Sequence, residues 1–439
     1  MKYPNTIKAV RGTLLDISKV DSDPREIEKN VRHIEDGLLI IKQGKIIYSG
    51  EWNNGKDFLP DDLRICDYRG KLITPGFVDT HIHYPQMEIV GAYGEQLLEW
   101  LNTYTFPTEM KYGNQRYASE MAGLFVKELL QNGTTTAMVF CSVHPESVDA
   151  LFEECDQRNM RMIAGKVMMD RNAPDELLDT PENSYQDSRR LLQKWHKHNR
   201  LLYAITPRFA PTSSPEQLEK AMHLREEFPD AYVQTHLSEN QDEVEWVKSL
   251  YPERSGYLDV YHHYGLTGDK SVFAHCIHLT DPEWQVMSET GSSIAFCPTS
   301  NMYLGSGLFK YRQAVNGNVR VGLATDVGAG TSFNMFETLN EAYKVVQLQQ
   351  QKLCSPEGFY RATLGGAHAL YLDDKIGNFD IGKEADFIVL DPVATQVQQL
   401  RWDNSKSLDE KLFVLMTLGD DRNIYRTYVD GRLVYSRTR

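Results

Sequence analysis

Eight short apolar runs, spaced along the middle of the chain and separated by stretches of helical periodicity, constrain the fold more than any other feature. The runs are "GFVDTHIH" (76–83), "GTTTAMVF" (133–140), "MRMIAGKVMM" (160–169), "LLYAITPRFA" (201–210), "AYVQTHLS" (231–238), "SVFAHCIHL" (271–279), "SSIAFCPTS" (292–300) and "VRVGLATDVG" (319–328). Between most of them lie segments such as "QRYASEMAGLFVKELLQN" and "SPEQLEKAMHLREEF", whose apolar residues recur at the spacing of one helix face. Strand and helix alternating eight times is the pattern of an α/β chain closed into a (β/α)8 TIM-like barrel.

The two ends read differently. "DGLLIIKQGKIIYSGEW" and "LRICDYRGKLIT" near the start, and "GKEADFIVLDP" and "IYRTYVDGRLVYSR" near the finish, have the look of strands joined by tight turns; the Asp-Gly pair is a strong turn signal. These segments predict one small β module built from both termini, residues 1–74 with 379–439, flanking a barrel over 75–378.

Several functions are disfavoured by composition. The 439 residues carry a formal charge of −14, so no basic surplus exists to neutralise nucleic-acid phosphates or an acidic membrane surface. The opening "MKYPNTIKAVRG" lacks the apolar core of a signal peptide, and no run is long enough for a transmembrane span. Six scattered cysteines without a CxxC pair fit a reduced, cytoplasmic protein.

In a parallel barrel, the chemistry gathers at the C-terminal ends of the strands. Those ends carry His81 and His83 on the first run, Arg208 on the fourth, His236 on the fifth, His275 on the sixth and Asp326 on the eighth. Positions i and i+2 of a strand share a face, so His81 and His83 can hold one cation together. The same spacing at His196 and His198 falls in "SRRLLQKWHKHNR", which reads as an exposed helix face where i and i+2 diverge. A lone strand histidine is usually a hydrogen-bonded core residue, but imidazoles and a carboxylate meeting at one mouth make a donor set for zinc or iron(II). His275 is expected beside the metal, hydrogen-bonding water or an oxyanion. Asp79, deeper on the face of His81, is expected to support a ligand. Glu239, three residues after His236, is placed to shuttle protons, and Asp326 to take one from water. His262, His263 and His278 read as surface or supporting residues, and Lys166 as structural.

The motifs "PGFVDTHIH", "THLSEN", "FAHCIHL", "CPTSNMYLGSG" and "ATDVGAGTSFNM", in this order, resemble the amidohydrolase superfamily. Within it, "HYPQ", "GEQLLEWLNTYTFPTE", "GTTTA" and above all "ITPRFAPTSS" are similar to the guanine deaminases. The likeness spans nearly the whole chain, and the terminal segments resemble that superfamily's composite β-sandwich.

The resemblance implies one zinc per chain, with iron(II) as a substitute, held by His81, His83, His236 and Asp326. It implies Glu239 as proton shuttle and His275 as a group near the water, and deamination of guanine to xanthine and ammonia. Arg208, Phe209 and Gln86 match positions that hold the purine, which His83, His236, Glu239 and Asp326 also face. Trp100 and the segment around it are expected to cover the pocket. A homodimer is usual in the family. Two-metal relatives use a bridging lysine on the fourth strand, and "ITPRFAP" has none. The alternatives are another aminated heterocycle, such as a triazine or a different purine, and a non-catalytic barrel relative.

Overall fold

A computed structural model of the chain describes residues 7–93 and 96–437. Gly94 and Glu95, which belong to the expected covering segment, lie outside the described residues.

Eight strands follow one another around a nearly closed barrel: Phe77–His83, Thr134–Phe140, Arg161–Gly165, Leu201–Pro207, Tyr232–Leu237, Ser271–His275, Ser293–Phe296 and Arg320–Leu323. The third has a short continuation, Val167–Met168, that also pairs with the fourth. Where registers are given, neighbours run parallel. Most of these strands are buried at every position, which is why they read as continuous apolar runs and not as alternating ones. First and last strands meet at a seam: the Asp326 N–H donates to the His81 carbonyl (3.0 Å) and the His83 N–H to the Val327 carbonyl (3.2 Å).

The returning helices begin where the sequence supplies a cap. Thr180 and Ser214 accept from backbone N–H groups of Pro181–Trp195 and Pro215–Glu227, each with proline in the first turn. Asn240 with Glu243, and Thr280 with Glu283, form reciprocal capping boxes on Gln241–Leu250 and Asp281–Thr290.

Both chain ends build a separate seven-stranded sheet, in the order Arg432–Ser436, Ile424–Val429, Phe387–Leu390, Ile65–Pro75, Ile7–Ile17, Val31–Lys42, Lys45–Glu51. Its tight turns use two residues at positive φ, Gln43-Gly44 (52° and 75°) and Asp430-Gly431 (52° and 68°), the turn that suits the right-handed twist of a hairpin. By contact, one compact unit runs to Val78 and takes in Glu128–Thr136 and the chain from Asn334 onward. The other comprises Asp79–Lys127 and Ala137–Phe333. No helix among the described residues is long and apolar enough to cross a membrane.

The fourth and seventh strands stop short of the runs read from sequence, at Pro207 and Phe296, and three further departures have a local cause. The third strand breaks at Lys166, whose ammonium is fully buried against Asp179 and the Val167 carbonyl. The sixth stops at His275, because His275 and Cys276 adopt left-handed backbone (φ 72° and 53°). The eighth stops at Leu323, so Asp326 (φ 49°) sits in the turn beyond it. The expected exposed face at His196 and His198 is corrected. The helix ends at Trp195, left-handed Lys197 and Asn199 turn the chain, and the His196 side chain is only 6% exposed, accepting from the Tyr203 N–H (3.1 Å). His198 remains exposed.

Gly165 shows how tightly the barrel is packed: a Cβ there falls 1.8 Å from the Ala204 backbone carbonyl oxygen on the next strand. Gly165→Ala is therefore expected to destabilise the protein by about 2–4 kcal/mol, as overpacking against backbone does, measured by urea unfolding. A loss near zero would show that the ladder yields freely.

Candidate active site

Alternation along the first strand aims Asp79, His81 and His83 at one face, and each is at most 3% exposed. The His83 Nε2 lies 3.2 Å from the Nε2 atoms of both His81 and His236. The Asp326 Oδ1 lies 3.1 Å from His81 Nε2 and 3.4 Å from His83 Nε2. Four donors around a tetrahedral cation at bonds of about 2.0–2.1 Å stand roughly 3.4 Å apart, so these spacings fit a metal. The His236 Nδ1 donates to the Arg208 carbonyl (2.7 Å), which leaves its Nε2 with a free lone pair. Burial, reinforced by the neighbouring histidines and Arg208, pushes His83 and His236 well below the usual imidazole range, so both are neutral. Burial opposes ionisation of Asp326, yet His81 and then His275 and Ser300 hold it down at about 2. Neutral lone pairs and an ionised oxygen facing one point repel one another unless a cation sits among them. Asp79 supports the set from behind, accepting from the N–H groups of His81 (3.2 Å) and Thr325 (3.1 Å) and from the Thr325 hydroxyl.

His275 and Glu239 stand beside this cluster. The His275 Nε2 is 3.4 Å from a Glu239 carboxyl oxygen and 3.8 Å from Asp326 Oδ2. Its Nδ1 donates to Asn301 Oδ1 (2.8 Å), and its ring stacks at 16° on His236. The loop after the fifth strand is pinned by Glu243, which accepts from the N–H groups of Glu239 (2.8 Å) and Asn240 (3.1 Å) and from the Tyr257 hydroxyl (2.6 Å). That pinning turns the Glu239 carboxyl inward, 3% exposed. Burial, with Asp326 and Glu243 adding repulsion and Arg208 opposing, raises it well above the usual carboxyl range. That shift favours its protonated form.

The opposite wall is built on Arg208 and Phe209, just past the fourth strand. The Arg208 Nη1 donates to both carboxyl oxygens of Glu109 (2.8 and 3.0 Å), and the guanidinium lies 5.5 Å from the Phe106 ring centre. The Gln86 amide nitrogen donates to the same carboxylate (3.0 Å). Arg208 and Gln86, with Leu97, Trp100, Leu101, Phe209, Leu304 and Ala329, line a pocket that His83, His236, Glu239, His275 and Asp326 also line. An apolar wall with a few convergent polar groups is the usual build of a small-molecule site. Trp100 is 2% exposed, and its indole N–H has no hydrogen-bond partner among the described residues.

All ten residues singled out from sequence thus meet in one place, although His81 reaches the cluster without lining the cavity. Sequence reasoning missed Glu109, Asn301 and the apolar wall. It also missed Cys297, whose thiol lies near His81, His275 and Asp326 and is pushed up by burial. The signal for Glu109 was a glutamate closing the largely apolar stretch "LLEWLNTYTFPTE".

Residues 72–434 match the Amidohydrolase family. The chain is 67% identical over 437 residues to guanine deaminase from Escherichia coli K12, covering 100% of each. The structure superposes on a solved E. coli guanine deaminase with a TM-score of 0.96 at 65% identity, over 99% of this chain and 100% of that one. It superposes on guanine deaminase from C. acetobutylicum, solved with guanine in its active site, with a TM-score of 0.88 at 32% identity, over 98% and 100%. The chain belongs to the amidohydrolase family, and within it to the guanine deaminases.

Proposed function

We infer that this chain hydrolyses guanine to xanthine and ammonia. The observation that carries the reading is full-length likeness to guanine deaminases joined to an arginine-walled pocket beside a metal-type donor set. His81, His83, His236 and Asp326 would hold one zinc, or iron(II) with the same donors. A cation there acidifies water and so supplies a nucleophile at neutral pH. Lys166 is taken up by Asp179, which favours a single-metal site over one bridged by lysine.

The chain's own groups are sorted for the proton traffic. Asp326, ionised, accepts a proton from the attacking water, whose oxygen bonds to C2 of the ring. Glu239, protonated, gives its proton to the adjacent ring nitrogen, collects the remaining hydroxyl proton and delivers it to the amino group. The C–N bond breaks, ammonia leaves, and the proton held on Asp326 restores Glu239. His275, between the two carboxyls, hydrogen-bonds the oxygen developing at C2.

Arg208 selects the purine. Guanine presents O6 and N7 as adjacent acceptors, which suit guanidinium donors, and Phe209 borders the ring. Gln86 addresses a further ring nitrogen, and Trp100 covers the site with an indole N–H to spare. Guanine and water are the partners of this reading, with no nucleic acid or membrane. A homodimer follows from the family resemblance alone. Six cysteines, none in a disulfide, support a cytoplasmic location.

Elemental analysis is expected to return about one zinc or iron per chain, lost together with activity in His236→Ala. Two metals per chain, or an active protein without metal, would overturn the single-site reading. Glu239→Gln should keep the metal and much of the affinity for guanine while lowering kcat about 10²-fold or more; a near-normal kcat would move the shuttle role to another group. Arg208→Ala should leave metal content intact and cost roughly 2–5 kcal/mol in kcat/KM, part of it from the Glu109 carboxylate left buried and unpaired. Arg208→Lys should recover only a fraction of that loss, because a point charge does not reproduce the planar donors. Near wild-type turnover in Arg208→Ala would show that guanine is held another way.

A further inference from the structure

Glu109 is fully buried, at 0% exposure, and among the described residues its carboxylate is hydrogen-bonded only to Arg208 and Gln86. Its two oxygens are both spent on the guanidinium Nη1 of Arg208, and one of them also receives the amide of Gln86. Among the described residues, no other guanidinium atom of Arg208 has a hydrogen-bond partner. The second Nη and the Nε edge are therefore left for a ligand, with their direction set by Glu109. The same carboxylate fixes which end of the Gln86 amide faces which way: a carboxylate only accepts, so Nε2 turns to Glu109 and the carbonyl Oε1 turns away. Gly328 makes room for that oxygen, since a Cβ there would fall 2.4 Å from it.

The pairing also settles the charge of this wall. Arg208 alone would be a buried cation and would draw in any anion; paired with Glu109 it is neutral overall while keeping its donors. The distinction matters because of what the reaction does to the ring. Replacing the C2 amino group by a carbonyl flanks ring N–H groups with carbonyls, so the product is a stronger acid than the substrate and ionises far more readily. We propose that Glu109 is a positioning residue that cancels the charge of Arg208 and orients Gln86, so that the pocket holds a neutral oxopurine and does not retain the anionic product. This rests on the reading of guanine as substrate.

Wild-type turnover of guanine tests that underlying reading separately. The proposal is read from a ratio of affinities, measured by titration calorimetry with xanthine and hypoxanthine at mildly alkaline pH. There xanthine is mostly anionic and hypoxanthine mostly neutral, while both carry the same O6 and N7 face. The wild type is expected to bind hypoxanthine more tightly than xanthine. Glu109→Gln should shift the ratio toward xanthine by about tenfold or more, the scale of one unmasked buried charge, and should raise the KM for guanine more than it lowers kcat, with metal content unchanged. Glu109→Asp keeps the charge and should keep the wild-type ratio even where turnover falls. A merely structural role would weaken both ligands together. A folded Glu109→Gln protein whose ratio stays within about twofold of wild type, or a Glu109→Asp protein shifted as far as Glu109→Gln, overturns the proposal. Should Glu109→Gln fail to fold, the wild type still decides, because xanthine bound as tightly as hypoxanthine, or more tightly, overturns it.

Discussion

Desolvation is the constraint on which the site depends. His81, His83, Glu239, His275 and Asp326 are each between 1% and 4% exposed, with His236 half-buried beside them, and a charge so placed is costly unless a partner meets it. Burial alone would neutralise every one of them. It pushes that way for His81, His83 and His236, which keep lone pairs, and for Glu239, whose protonated form it favours. Asp326 is the exception, because His81 and His275 stand close enough to outweigh the burial. One buried volume thus pushes two carboxyls in opposite directions, and such a separation divides acid from base in one pocket.

The supporting contacts are of a different kind. Asn301 turns His275, the Arg208 carbonyl turns His236, and Glu243 turns the loop that carries Glu239. Asn301 and Arg208 reach across from neighbouring strand ends, and Glu243 reaches back from the helix that follows the Glu239 loop. Arg208 serves twice, through its carbonyl to His236 and through its guanidinium to the pocket. The arginine wall and the histidine cluster are therefore coupled through one residue's backbone.

Much of this was legible in the chain. A parallel strand buried on both faces must be apolar throughout, so the barrel strands stood out as unbroken runs, and side-chain alternation paired His81 with His83. Strand ends marked His236 and His275 because polar residues there have nowhere else to point. The ends themselves were misjudged where non-glycine residues such as His275 and Asp326 take left-handed backbone, a choice imposed by tertiary contacts and invisible to propensity. His196 was misread for a similar reason: helical spacing continued past the point where Lys197 turns the chain. Glu109 and Asn301 carried no periodic signal, since each acts across a gap of many residues, 99 between Glu109 and Arg208 and 26 between Asn301 and His275.

The seam of the barrel has a consequence for how a cation could ever be acquired. His83 and His236 stand 153 residues apart in the chain, and the Asp79–Thr325 contact behind the donors spans 246. The donors come from both sides of the closing seam, so during synthesis no complete set exists until the last strand has emerged and docked. A half-made chain offers only loose imidazoles, which would take whichever divalent ion binds nitrogen most strongly, copper before zinc. Closure first and loading afterwards replaces that affinity order with a rigid tetrahedral spacing, so the choice of ion is made by a finished shape and by which metals the cell leaves free at that moment.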